Sequence, residues 1–135
     1  MAHWLGSHRS DRGAAAVEMA IIFPLMFLVL AGIVDFGRAF FYQIQLTNAA
    51  REGARASIVS DGSVADITAR AASSAPAVPD LDVAVVLCGG GVTATTVTAS
   101  MPMDWILLEP AMNIIQAGNV LTDTLSSTAV MQCES

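Results

Sequence analysis

The chain has 135 residues, of which 54% are hydrophobic and 13% charged, with a mean hydropathy of +0.60 and a formal net charge of −6. That length holds one domain at most, and the composition is too apolar for a water-soluble one unless a single segment accounts for the excess. All six arginines fall within residues 1–70, and residues 71–135 carry acids but no base, which excludes nucleic-acid binding by a half unable to displace counterions.

Residues 1–13 form a short polar leader with Arg9, Asp11 and Arg12. Its two histidines, His3 and His8, are too few for a metal site. From Ala14 to Val34 the run is apolar, with Glu18 as its single charge. As a helix this run spans about 31 Å, matching the roughly 30 Å hydrocarbon core of a bilayer. A domain this small cannot bury such a helix, so residues 14–34 are read as a transmembrane span. The flanking charges leave its orientation open, because Arg9 and Arg12 precede the span while Arg38 and Arg51 follow it.

The helical pattern continues past the span. Phe36, Phe40 and Ile44 recur every fourth residue, and the small-residue stretch Asn48 to Ala56 carries Glu52 and Arg55 at i, i+3. One helix over 14–58 is expected, its first half suited to lipid and its second to packing under a small domain. Pro24 removes one hydrogen bond from it and predicts a kink, tolerated in a membrane helix.

Asp61-Gly62-Ser63 breaks the helix, and Ser63 with Asp66 resembles a capping box opening a short second helix to about Ser74. After the turn-rich segment Pro76 to Asp80 the pattern becomes β. Leu81 to Cys88 and Val92 to Ser100 read as a hairpin joined by Gly89-Gly90-Gly91. Leu121 to Cys133 reads as a third strand. In it Leu121, Leu125, Ala129, Met131 and Cys133 lie on one face and Thr122, Thr124, Ser126, Thr128 and Gln132 on the other, which suits an antiparallel sheet with one face on a core. Between strands two and three, the apolar stretches Trp105 to Leu108 and Met112 to Ile115 flank Glu109-Pro110 as helical turns covering the sheet. The fold class is therefore α+β: a long N-terminal helix, a short helix and about three antiparallel strands, with residues 59–135 as a small domain.

No catalytic constellation is present. The histidines are confined to the leader, the C-terminal acids are scattered, and two cysteines alone do not make a zinc site. Neither an enzyme, a metal site nor a cofactor is expected. Cys88 and Cys133 sit at the ends of the first and third strands, and in an oxidising compartment they are expected to pair. Closing a 45-residue separation is worth roughly 4 kcal/mol in the loop-entropy picture and requires the two strand ends to converge.

The membrane boundary carries the remaining signal. Gly13 is followed by Ala14-Ala15-Ala16-Val17-Glu18. If the bond after Gly13 is cut, the new ammonium at Ala14 lies one helical turn from Glu18 on the same face. In a stack of helices, Glu18 of one subunit could meet the ammonium of the next and set their register, since a buried pair specifies geometry better than it stabilises. This boundary resembles that of type IV prepilins, cut after glycine with glutamate at mature position five.

The wider stretch RGAAAVEMAIIFPLMFLVLAGIVDFGRAFFYQIQLTNAAREGARAS, with its DFGRA and LTNAAREGARA segments, resembles the TadE-like family of tight-adherence (Tad, Flp) pilus systems. The likeness covers residues 12–57 densely and LTDTLSSTAVM loosely. It implies a pilin-like minor pilin or pseudopilin with these partners: the membrane, other pilins and pseudopilins, a prepilin peptidase and the inner-membrane assembly platform. Gly13, Ala14 and Glu18 would serve in processing, and Glu18 and Pro24 in assembly. The protein would be a single-pass cytoplasmic-membrane protein with an extracytoplasmic C-terminal domain, able to enter an extracellular pilus. Alanine replaces the usual phenylalanine at mature position one, and the chain is longer than the small major Flp pilin.

Two other readings fit parts of the pattern. A secretory signal peptide would have a shorter apolar core and an A-x-A site. A membrane-anchored extracytoplasmic binding domain would leave Glu18 without a purpose, snorkelling at the interface. A pseudopilin of a related secretion system is a further alternative.

Overall fold

The computed structural model describes residues 9–59, 63–114, 116–117, 121 and 123–133. Helix α1 (Arg9–Val59) is 51 residues long, about 76 Å at 1.5 Å per residue. It starts inside the polar leader, upstream of Ala14. Nothing in Arg9 to Gly13 stops a helix, and one glycine costs only about 1 kcal/mol in a helix interior. Pro24 lies inside it without ending it, so the loss of one bond, to the Ala20 carbonyl, is outweighed by the long apolar run on either side.

Of the expected break, Ser63 lies among the described residues and is non-helical. Helix α2 (Val64–Ser73) is capped by Ser63, whose hydroxyl oxygen accepts from the Asp66 amide at 3.3 Å. The Ser63 hydroxyl also donates to Asp66 Oδ2 at 3.0 Å, so the aspartate returns the contact through the side chain. Asp61 and Gly62 lie outside the described residues.

Strands β1 (Asp82–Val86), β2 (Ala94–Pro102) and β3 (Thr124–Gln132) form an antiparallel sheet in the order β1-β2-β3. Val85 faces Val97, and Val97 faces Ala129. The β1–β2 turn contains three consecutive glycines, Gly89, Gly90 and Gly91, with φ of 131°, 57° and 95°. Side chains strongly disfavour that backbone, so the triplet is a turn requirement. The strands are offset from expectation: β1 stops at Val86, two residues before Cys88, and β3 starts at Thr124 instead of Leu121. Leu121 is half-buried against the cluster of Ala39, Met103, Trp105 and Leu108, and Thr122 lies outside the described residues.

Between β2 and β3, one helix, α3 (Leu108–Ile114), runs through Glu109-Pro110 where two flanking turns were expected. Pro110 is its third residue, and first-turn N–H groups have no intrahelical partner to lose. Trp105 and Leu108 are buried, whereas Ile106 and Ile114 are exposed, so only part of this segment covers the core.

The sheet buries one face against α1 and α2 and leaves the other to solvent. Val97, Ala99 and Met101 point inward, joined by Leu125 and Ala129 from β3. The outer face carries Thr98 and Thr128, whose hydroxyls are 2.9 Å apart. The helix side of the interface is built from small side chains: Ala49, Ala50 and Ala54 are buried with Leu46. A Cβ on Gly53 would lie 2.9 Å from Val97 Cγ1 and 3.4 Å from Ala71 Cβ. Helix, helix and sheet meet so closely there that the position takes no side chain.

Candidate functional site

Residues 13–34 of α1 stand clear of the rest of the molecule apart from one narrow face, and this apolar stretch is long enough to cross a membrane. Gly13, Ala14, Glu18 and Pro24 all lie on it and are exposed. A Cβ on Gly13 would meet nothing within 4 Å. Ala14 and Glu18, four residues apart on a continuous helix, share a face. Glu18 makes no hydrogen bond or ion pair to another described residue. The structure therefore brings none of these four residues to the sheet; they are presented on a bare helix, where only lipid or another molecule can meet them.

Cys88 and Cys133 are joined by a disulfide with Cα atoms 5.9 Å apart. They lie just past the ends of β1 and β3, which are not neighbours, since β2 lies between them. The bond crosses over the start of β2, where the Cys133 amide donates to the Thr93 carbonyl at 2.9 Å. It closes the end of the sheet remote from the apolar run of α1.

A second site lies where the bare helix meets the folded part, and the sequence reading gave its residues no physical role. Asp35, the first residue after the apolar run, is fully buried. Its Oδ2 accepts from the amides of Leu107 at 2.9 Å and Leu108 at 2.8 Å. The carboxylate thus satisfies two orphan donors at the start of α3 and places negative charge at the positive end of that helix. Its Oδ1 has no hydrogen-bond partner among the described residues, but Arg38 Nη1 stands 3.6 Å away as its ion-pair partner. Arg38 also donates to the Asp104 carbonyl at 3.4 Å and lies 6.0 Å from the centre of the Tyr42 ring. Phe36 meets Trp105 edge to face, with centroids 5.5 Å apart, and Ala39 is buried with Met103, Trp105 and Leu108.

The five residues Asp35-Phe36-Gly37-Arg38-Ala39 therefore act as a clasp holding the loop before α3 against the helix. Further along, Gln43 donates to the Ser126 carbonyl at 2.9 Å, and the Ser57 hydroxyl is 3.1 Å from that of Thr95. The spacing could have announced this face: Asp35, Ala39, Leu46, Ala50 and Gly53 follow helical intervals of three, four and seven. A charged residue at the head of such a row, where burial is costly, signals a specific acceptor role.

The chain is thus built on one long helix, α1, with two uses: an exposed apolar first part and a second part on which α2, α3 and the sheet pack. Residues 13–55 match the TadE-like protein family. The matched stretch begins at Gly13, includes the apolar run and the whole Asp35–Ala39 clasp, and ends two residues beyond Gly53; the sheet lies outside it. No curated protein and no solved structure matches the chain.

Proposed function

We propose that this protein is a minor pilin or pseudopilin of a Tad/Flp-type pilus, cut after Gly13 by a prepilin peptidase and held in the cytoplasmic membrane by residues 14–34. Residues 59–135 lie outside the cytoplasm as its small domain. The observation that carries this reading is the TadE-like match over residues 13–55, which opens on the glycine of the processing boundary. The exposure of Gly13, Ala14 and Glu18 supports it, because a peptidase and neighbouring helices both need access to that end of α1. The disulfide is consistent with an oxidising compartment for the domain.

In this reading Glu18 pairs with the ammonium of Ala14 on an adjacent pilin and sets the axial register. The low dielectric of the bilayer makes an unpaired carboxylate costly, so the pair forms selectively where subunits are in step. The partners are then other pilins and pseudopilins, the peptidase and the assembly platform. No enzymatic role is proposed. The test is the intact mass of protein extracted from membranes of cells with an active prepilin peptidase. A chain beginning at Ala14 is the expected result, and a chain retaining residues 1–13 would refute the pilin reading.

A further inference from the structure

Helix α3 presents three different sides. Leu108, with Ala111 and Met112 behind it, faces the core; Glu109 and Asn113 form a polar edge; Pro110 and Ile114, four residues apart, form an exposed apolar edge. Ile106, just before the helix, is 59% exposed and Ile114 is 83% exposed, although the neighbouring Trp105 and Leu108 found places in the core.

The height of this segment along α1 is set by Asp35, which bonds the Leu107 and Leu108 amides directly. Asp35 is the first residue past the apolar run. Coverage of α1 continues below it on the same face: Ala31 is buried and Leu28 and Gly32 are half-buried, while the other residues of the run are exposed. Leu28 lies about 10 Å nearer the bilayer centre than Asp35, and α3 is the helix packed on this end of α1.

We propose that α3 is an interfacial foot of the domain. Its Ile106, Pro110 and Ile114 edge is immersed at the headgroup–acyl boundary of the bilayer that α1 spans, and Glu109 and Asn113 face the water. The inference rests on the reading of residues 14–34 as a membrane span. Lipid is the occupant because Asp35 fastens the segment to α1 at the level where the apolar run ends. A short amphipathic segment set about 5–10 Å into the interface is a known way for apolar side chains to leave water. The segment has no base and carries Asp104 and Glu109, so its affinity comes from apolar burial and gains nothing from anionic headgroups. Through the Asp35 clasp, the foot sets the tilt of the sheet over the membrane.

Spin-label depth measurements test this on the full chain in phosphatidylcholine nanodiscs. Single labels are placed through Ile106→Cys and Ile114→Cys, with Leu25→Cys as the mid-span control and Thr98→Cys as the control on the outer face of the sheet. The native cysteines stay in their disulfide under non-reducing conditions. The expected result is high oxygen and low nickel-chelate accessibility at 106 and 114, several-fold above the Thr98 ratio and approaching that of Leu25. Nickel accessibility equal to that at Thr98 would place the edge in water and overturn the foot. Shielding from both reagents would mean that protein covers it, and would overturn it equally. A deeper position on adding phosphatidylglycerol would assign the contact to headgroup charge and reject apolar burial as its origin. If the Leu25 label is itself not in lipid, the span reading fails first, an outcome distinct from a lipid-exposed Leu25 with water-exposed Ile106 and Ile114.

Discussion

Removing the carboxylate of Asp35 should loosen α3 and the loop before it from α1 without unfolding the sheet. In Asp35→Ala the amides of Leu107 and Leu108 lose an acceptor 2.9 and 2.8 Å away. The Leu108 bond is buried and the Leu107 bond partly so. Hydrogen bonds to a charged acceptor contribute about 1.5–3 kcal/mol each. Against the loss of both stands the relief of no longer desolvating a fully buried carboxylate, so a net cost of about 3 kcal/mol is expected at the clasp. Asp35→Asn should not rescue it. An amide can still accept at one oxygen, but it carries no charge for Arg38, and its NH2 in the place of Oδ1 would face that cation, which stands 3.6 Å away. The assay is hydrogen exchange on the full chain in micelles, with protection read at residues 105–114 and at β2 as an internal reference. Protection around α3 should fall by about two powers of ten, following 1.4 kcal/mol per tenfold, while β2 amides such as Val97 change far less. Unchanged protection at Leu107 and Leu108 in Asp35→Ala would refute the idea that the carboxylate holds the loop.

Reducing the disulfide, or replacing Cys88 and Cys133 by serine, should lower the stability of the sheet by up to about 4 kcal/mol for a 45-residue separation, measured by denaturant unfolding with and without reductant. Gly53→Ala should destabilise by about 1–2 kcal/mol, the overpacking against Val97 exceeding the gain in helix propensity; Val97→Ala in the same chain should recover part of the loss in a double-mutant cycle. Glu18→Ala should leave cleavage after Gly13 intact and impair co-assembly with other pilins, scored by piliation; normal piliation would mean that the carboxylate merely snorkels. Ser63→Ala should cost about 1 kcal/mol through loss of the α2 cap, read as a shift in the denaturation midpoint.

The elements were legible in the sequence because each is written in local chemistry. A 21-residue run with Glu18 as its single charge makes a helix long and apolar enough to cross a membrane whatever follows it, Ser63 with Asp66 caps a helix through contacts within one turn, and three glycines can adopt backbone angles that other residues avoid. Alternation told the inward face from the outward one as far as Ala129; Met131, which the same pattern puts inward, lies at the exposed end of the strand. The errors at element ends arose where a nonlocal contact decided the outcome. The pattern at Leu121 continues the strand, yet that residue packs against the cluster of Ala39, Met103, Trp105 and Leu108, and the pairing of Thr124 with Pro102 is where β3 begins. The role of Asp35 is of the same kind. A carboxylate at the edge of an apolar run has no visible purpose in the sequence, because the amides it serves are more than seventy residues away. Gly53 is similar: nothing near it in the chain forbids a side chain, and only the arrival of Val97 and Ala71 does. Periodicity and turn chemistry act over a few residues and could be read directly. Which surfaces meet, and which polar group must satisfy which distant donor, existed only once α1, the sheet and α3 had packed together.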